Sequence, residues 1–345
     1  MSTFVKGTCE KLCPDNETKL RTKEKVLHFY EYSDVKRKTP GTLVKCFSRS
    51  AAGIKLPTAK DIRTEQCLHR TLAYLLKDIL LDKRKSFNFA YNFIFDRLRA
   101  VRQEAVMQNF NNYQSIKLLE PIIMFLAYSR YRLCEEPIDF FDPKICDQHL
   151  QECLKRVLCA YDTVDITKLN LNELRNRNFI EALYQIFNLG SAEALQRSFT
   201  LPLETRLDAY FKNAVNISKS YTLGNYYRAF DGIKNLPHLL CAIAALKLPE
   251  MRRQLYLVFA HAYNSKALTV SADFVRSLTL HKCLYDLFEE CKYYNMKIVE
   301  EQKSLRFIKN DFKVELPPSK PKHEDIVENK LRHIFLPEVL LMKKI

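Results

Sequence analysis

Apolar residues recur every three or four positions over most of this chain, the spacing that gathers them on one face of an α-helix. Leu68, Leu72, Leu75, Leu76 and Ile79 form the first such face. Helices are predicted next over 86–108 and 114–133, the second with Pro121 inside it and a kink expected there. A turn at 137–143 precedes a helix carrying Cys146, Leu150, Cys153, Leu154 and Val157, and the pattern resumes over 170–188. From there to 264 the chain reads as helix pairs: 203–218 with 223–234 around a polar turn at 219–222, then 237–246 with 250–264. Each pair leaves an apolar face uncovered and buries it by stacking on its neighbour, which predicts a divergent helical solenoid.

The pattern changes after 264. Ser271 is placed to cap a helix reaching Leu280, and a second helix covers 282–295. Two short runs, 296–299 and 305–308, then flank a polar turn at 300–304. Helix, helix and two-stranded wing is the order of a winged-helix module. The prolines of 316–321 mark a linker, and 325–345 is an amphipathic tail expected to dock on the body or on a partner. At the other end, residues 1–60 hold one predicted helix, 17–30, and the Thr58/Asp61 spacing of a capping box marks the start of the helical body. The predicted fold is therefore all-α: an extension over 1–60, a solenoid over 61–264, a winged helix over 265–315, and a linker and tail over 316–345.

Composition supports this reading. Six glycines in 345 residues, and no proline between Thr58 and Glu120, argue against a turn-rich β fold. At 47% hydrophobic and 28% charged residues the chain is a folded one. Met1 to Leu12 carries charge where a secretion signal needs an apolar core, and the run Leu239–Leu246 is far shorter than the roughly 20 residues of a membrane span. An intracellular soluble protein with no membrane partner is expected, its eleven cysteines held as thiols. The formal charge of +15 points to a polyanionic partner. Thirteen Lys/Arg against six Asp/Glu put +7 in residues 1–60, whereas 271–313 carries only +1.

No nucleotide loop, nucleophile elbow or metalloprotease motif is present, so a non-enzymatic chain without a cofactor is expected. Cys9 and Cys13 form a lone C-x3-C. Cys146, His149 and Cys153 share one helix face, but a structural zinc site needs four ligands and buried thiols are the commoner role, so no metal is expected. The aromatic run Phe87–Phe95, followed by Asp96, Arg97, Arg99 and Arg102, has the make-up of a single-strand stacking platform. A buried aromatic face with arginines paired to Asp96, Glu104 or a neighbouring helix is the preferred reading. Lys83-Arg84-Lys85 reads as a solvated loop, and Lys36-Arg37-Lys38 as a short cluster of the nuclear-import kind.

Four segments together resemble the GANP/Sac-three family. Gly7-Thr8-Cys9-Glu10-Lys11-Leu12-Cys13-Pro14 with Glu17 and Arg21 is similar to its G-T-C-x-x-M-C-P-x-x-E opening, with Leu12 where Met is usual. Phe93–Gln103 resembles its F-x-x-D-R-x-R-x-I-R-Q helix, Cys134-Glu135-Glu136-Pro137 its C-E-E-P turn, and Phe47-Ser48-Arg49-Ser50-Ala51 its F/Y-S-R-S-A segment; Phe89 stands where Trp is frequent. The resemblance implies a PCI-type solenoid capped by a winged helix. That module pairs with a second PCI protein braced by a small acidic DSS-type subunit, and the pair offers a surface to RNA in nuclear mRNA export. Short members of the family are associated with centrosomes and the spindle, which is the alternative role. This chain is expected to be such a domain-only member without the centrin-binding helix, nuclear and also cytoplasmic or centrosomal. Taken with the charge count, the expected RNA contacts are Lys19, Arg21, Lys23 and Lys25 in the extension and Lys297, Lys303, Arg306 and Lys309 in the wing. Cys9, Cys13, Pro14, Phe93, Asp96, Arg97, Arg99 and Arg102 are expected to be structural.

Overall fold

The structure, a computed structural model, describes residues 4–34, 36, 38–49 and 57–343. The chain opens with α1 (Asp15–Lys23), the hairpin β1 (Tyr32–Asp34) and β2 (Thr39–Pro40), and α2 (Glu65–Tyr74). Long helices follow: α3 (Phe87–Met107), α4 (Asn112–Arg132), α5 (Pro143–Thr163) and α6 (Leu171–Phe187). Next come α7 (Ala192–Thr200), α8 (Leu203–Leu207), α9 (Ala209–Thr222), α10 (Tyr226–Lys234), α11 (His238–Ala245) and α12 (Leu248–Ala262). The last part holds β3 (Val270–Ser271), α13 (Ala272–Leu278), α14 (Leu284–Tyr293), β4 (Lys297–Val299), β5 (Ser304–Arg306), α15 (Asp325–Leu331) and α16 (Leu336–Leu340). It is an all-α helical solenoid with a small β-wing.

The chain forms two compact units, Met1–Leu126 with Asp147–Leu169 and Phe335–Ile345, and Ala127–Cys146 with Asn170–Ile334. The start of the expected extension lies along the body, with the backbone of Thr8 and Cys9 bonded into the segment before α2. Cys9 and Arg63 form a parallel bridge, with Cys9 N–H donating to the Ile62 carbonyl at 3.0 Å and Thr64 N–H to the Cys9 carbonyl at 3.0 Å. A Cβ on Gly7 would lie 2.5 Å from the Arg63 carbonyl oxygen, so only glycine permits this approach. The Gln108 amide locks it, accepting from Gly7 N–H at 2.9 Å and donating to the Arg63 carbonyl at 3.0 Å. Gly7→Ala is expected to cost about 1–3 kcal/mol, the usual penalty of overpacking. A denaturant midpoint equal to that of the parent would refute the close approach.

The boundaries in this unit differ from expectation for local reasons. Asp61 accepts from the Thr58 N–H at 3.1 Å and hydroxyl at 2.6 Å, but what they close is a single 3-10 turn, Ala59–Asp61. The helix starts after Thr64, whose hydroxyl accepts from Cys67 N–H at 3.2 Å. The helix predicted over 17–30 stops at Lys23, with Lys25 in the left-handed region at φ 58. In α4, Pro121 lies inside the helix.

In the second unit α6 packs on α9 and α11, and α9 on α10. From Asn176 to Ile186 every residue of α6 is buried, as befits a helix enclosed on all sides. The polar residues 219–222, expected to be a turn, continue α9, and the turn sits at 223–225 where Gly224 takes φ +69. The wing is a three-stranded antiparallel sheet in the order β3-β5-β4. Strands β4 and β5 fall within a residue or two of the predicted runs, while β3 is only two residues long and gave no periodic signal. Ser271 does cap α13, its hydroxyl accepting from Phe274 N–H at 3.4 Å. The linker is tied down: Arg253 donates to the Leu316 carbonyl at 2.9 Å, and the buried Glu324 pairs with Arg252. Among the described residues no helix is long and apolar enough to cross a membrane.

Candidate nucleic-acid interface

The β4–β5 hairpin presents the wing cations. Lys297 stands directly opposite Arg306, and Ile298 opposite Leu305, so the sheet's alternation puts the two cations on one face and the apolar pair on the other. Lys297 is exposed and Arg306 half-buried. Lys303, exposed at the hairpin end, takes φ 44, and Lys309 follows β5 with its N–H donating to the Asn264 side chain at 3.2 Å. The exposed Glu300 and Glu301 occupy the intervening 3-10 turn and offset part of this charge. Because β4 is an edge strand, its outer side is unpaired within the sheet.

In the first unit Lys19, Lys23 and Lys25 are exposed around the C-terminal half of α1. Arg21 is not. It lies buried beside Glu31, to which its guanidinium donates, and it also donates to the Val44 carbonyl at 3.2 Å. Sequence charge counting assigned Arg21 to phosphate; the structure corrects this, since a helix with period 3.6 turns position 21 inward while 19 and 23 face water, and Lys25 lies beyond the helix end.

Glu31 is the centre of a buried network. Its carboxylate accepts from Arg21, from Arg97 at 3.2 Å, from Val44 N–H at 3.1 Å and from His28 N–H at 2.9 Å. Burial pushes its pKa up, but Arg97, the His28 N–H and Arg21 outweigh that, and the carboxyl is held below its ordinary value. Along α3, Asp96 accepts from Phe47 N–H at 3.2 Å, Arg99 stacks 3.8 Å over the Phe47 ring, and Gln103 donates to the Ser48 carbonyl at 2.8 Å. Glu104 takes both Lys45 and Arg63, the latter at 2.7 Å. Phe93 is buried under His28, ring centroids 4.6 Å apart, so this aromatic face is core.

A family model, the SAC3/GANP family, matches residues 12–300. The chain belongs to the SAC3/GANP family. It is 26% identical to Protein xmas of Drosophila melanogaster over 245 residues, 67% of this chain and 11% of that protein. It is 34% identical to SAC3 family protein B of Arabidopsis thaliana over 137 residues, 39% of this chain and 8% of that one. With SAC3 family protein 1 of Schizosaccharomyces pombe the identity is 27% over 219 residues, 63% and 21% of the two. The chain thus spans only a small part of the length of these relatives.

The geometry gives the motifs of this SAC3/GANP chain a physical meaning. The helix Phe93–Gln103 is a docking track: Asp96, Arg99 and Gln103 hold the Phe47-Ser48 segment, and Arg97 reaches Glu31. Arg102 turns the other way, to His149 at 2.9 Å and Glu152 at 3.2 Å. Of the partners expected for these arginines, Asp96 does pair, with Arg97 at 2.7 Å, while Glu104 is taken by Lys45 and Arg63. Cys13 and Pro14 are buried and Cys9 half-buried; all eleven cysteines are free thiols, and burial raises Cys13 to about 11. Among the described residues no group of three or more His, Cys, Asp or Glu is placed to hold a metal ion. Glu135 of the Cys134–Pro137 turn accepts from His323 N–H at 2.9 Å. Ser50, Ala51 and Arg37 lie outside the described residues.

Glu31, Arg63 and Lys45 were not legible as a site, because each lies in a stretch without periodicity and finds its partner 10 to 66 residues away. His28 was missed likewise. Its ring stacks on Phe89 and Phe93, and burial, aided by the Arg97 charge, lowers its pKa to about 4. In the unfolded chain it takes up a proton below about pH 6.5. The unfolded state therefore binds more protons between about pH 6.5 and 4, and stability is expected to fall as the pH drops through that window. His28→Gln should remove part of that slope in denaturation curves at stepped pH, and an unchanged slope would refute the assignment.

Proposed function

We propose that this SAC3/GANP chain is a non-enzymatic scaffold in nuclear mRNA export or processing. In this reading its helix–helix–wing segment is a winged helix that pairs with the winged helix of a second PCI-type protein, braced by a small acidic subunit. The paired modules bind RNA. The observation that carries the proposal is the wing hairpin, in which Lys297 and Arg306 share a face and Lys303 stands exposed at its end. Family membership supports the scaffold role. The unpaired outer side of β4 supports side-by-side pairing by an added strand or wing. Two glutamates in the same turn keep the isolated wing a weak phosphate binder, which is consistent with a composite surface.

The test is salt-dependent binding of a single-stranded oligonucleotide to the full chain and to Lys297→Glu with Lys303→Glu. Both side chains are exposed, so the fold is left intact. Every phosphate that the variant no longer neutralises should reduce the slope of log affinity against log salt by about 0.7. An unchanged slope removes the wing from the RNA surface. Affinity purification from nuclei should recover a PCI-type partner and a small acidic chain; recovery of neither would refute the pairing.

A further inference from the structure

Between α3 and α5 the first unit has a second basic feature that the wing reading does not use. It is a concavity of about 220 Å³ whose polar lining is Arg99, Arg102, Gln103, His149 and Arg156, with Phe47 and Val106 as its apolar part. Three guanidinium groups converge there with one carboxylate, Glu152, which takes Arg102 at 3.2 Å. Among the described residues neither Arg99 nor Arg156 has a carboxylate within ion-pair distance. The Arg99 guanidinium carbon lies 3.8 Å from the Phe47 ring centroid and 5.8 Å from that of Phe95. A guanidinium seated against a ring holds its place while its N–H groups stay available to an anion, a setting in which arginine recognises phosphate. The charged form of Arg99 is disfavoured by burial and by the charges of Arg49 and Arg102, against which only Asp96 acts, so positive charge predominates around it. His149 contributes a donor. Arg102 can only donate, so it donates to Nδ1 at 2.9 Å, and the ring, kept neutral at pH 7 by burial and by Arg102, carries its proton on Nε2.

We propose that this concavity is a phosphate-binding pocket that seats a backbone phosphate of single-stranded RNA. The inference rests on the RNA-binding reading above and adds a site in the other unit of the chain. RNA is favoured over a phosphorylated peptide because the cations do not end at the pocket. The exposed Arg49 continues them, which suits the repeated charge of a diester backbone.

The experiment uses the full chain with three variants. Arg156→Glu and Arg99→Gln weaken the pocket, and Glu152→Gln removes its only anion. Inorganic phosphate is titrated while arginine side-chain NMR signals are followed, and a fluorescent oligouridylate is titrated in parallel. Removing one charge-assisted hydrogen bond is expected to weaken both ligands about tenfold, whereas Glu152→Gln is expected to tighten both, a gain that misfolding cannot imitate. Pocket signals that ignore phosphate would overturn the proposal. So would oligouridylate binding that falls in Lys297→Glu with Lys303→Glu but not in the pocket variants, an outcome that leaves the wing reading standing. A phosphoserine peptide bound more tightly than oligouridylate, or no oligouridylate binding by any form, would overturn RNA as the occupant.

Discussion

Glu31→Gln is expected to destabilise the first unit by about 3–5 kcal/mol, the cost of breaking a buried ion network from one side. The carboxylate is fully buried and is the shared acceptor of Arg21 and Arg97, themselves almost entirely buried. An amide keeps the shape but supplies one acceptor oxygen and no charge, so two guanidinium groups lose their shared buried anion at once, leaving Arg97 with Asp96 and Arg21 with Glu17. Replacing all three, Glu31→Leu with Arg21→Met and Arg97→Met, should cost markedly less, because no buried charge is then left alone. Chemical denaturation of the parent and both variants measures the two values, and equal losses in the single and triple variants would refute the account. The carboxyl is held below its ordinary value, so its contribution is complete above about pH 4.5 and is lost as the pH falls further. Acid unfolding should therefore begin at higher pH in a variant with a weakened network, such as Arg97→Lys, which cannot reproduce the planar fork.

Helical periodicity made much of the fold legible. The helix read over 86–108 is α3 to within a residue at each end, and that over 170–188 is α6, because each buries a broad stripe that only a helix presents. The wing was legible because two short apolar runs flank a polar turn. What failed lies where local pattern is weak. Residues 219–222 are polar on an exposed helix end and looked like a turn, although Leu223–Asn225 supplies the actual chain reversal. The helices α7 and α8 are too short to repeat a stripe. For the site, charge counting put all four residues of the Lys19–Lys25 cluster on the surface. It could not tell that position 21 points at Glu31, ten residues on, across an irregular segment. The arginine pocket was invisible for the same reason: Arg99 and Arg102 are adjacent turns of α3, but Arg156 and His149 come from α5 and Phe47 from the extension.

Glu324→Gln is expected to cost about 3–5 kcal/mol in the second unit and to free the proline-rich segment before it. Arg252 is buried within α12 and donates twice to this carboxylate, at 2.7 and 3.1 Å, and to the Thr279 and Leu280 carbonyls at 2.8 and 3.2 Å. One side chain thereby ties three segments together: α12, the end of α13, and the chain leading into α15. Burial disfavours the Arg252 charge, but Glu324 and then Glu290 outweigh it, so the guanidinium stays ionised and the carboxylate cannot be dispensed with. The Glu324 N–H, held by the Tyr131 hydroxyl at 2.9 Å, fixes the approach of the acid. Removing the charge leaves the buried Arg252 with neutral acceptors, the two carbonyls and the amide oxygen, and with the charge of Glu290 alone to favour it. The segment 316–324 should then loosen first, since its remaining ties, such as those of Arg253, Ser319 and His323, hold it by hydrogen bonds and not by a buried ion pair. Limited proteolysis should cut the Glu324→Gln variant within 316–324 well before the parent, with a matching fall in denaturant midpoint. A loss below about 1 kcal/mol, the range of a solvated surface pair, together with unchanged cleavage, would mean that water reaches Arg252 and that the tie is held elsewhere.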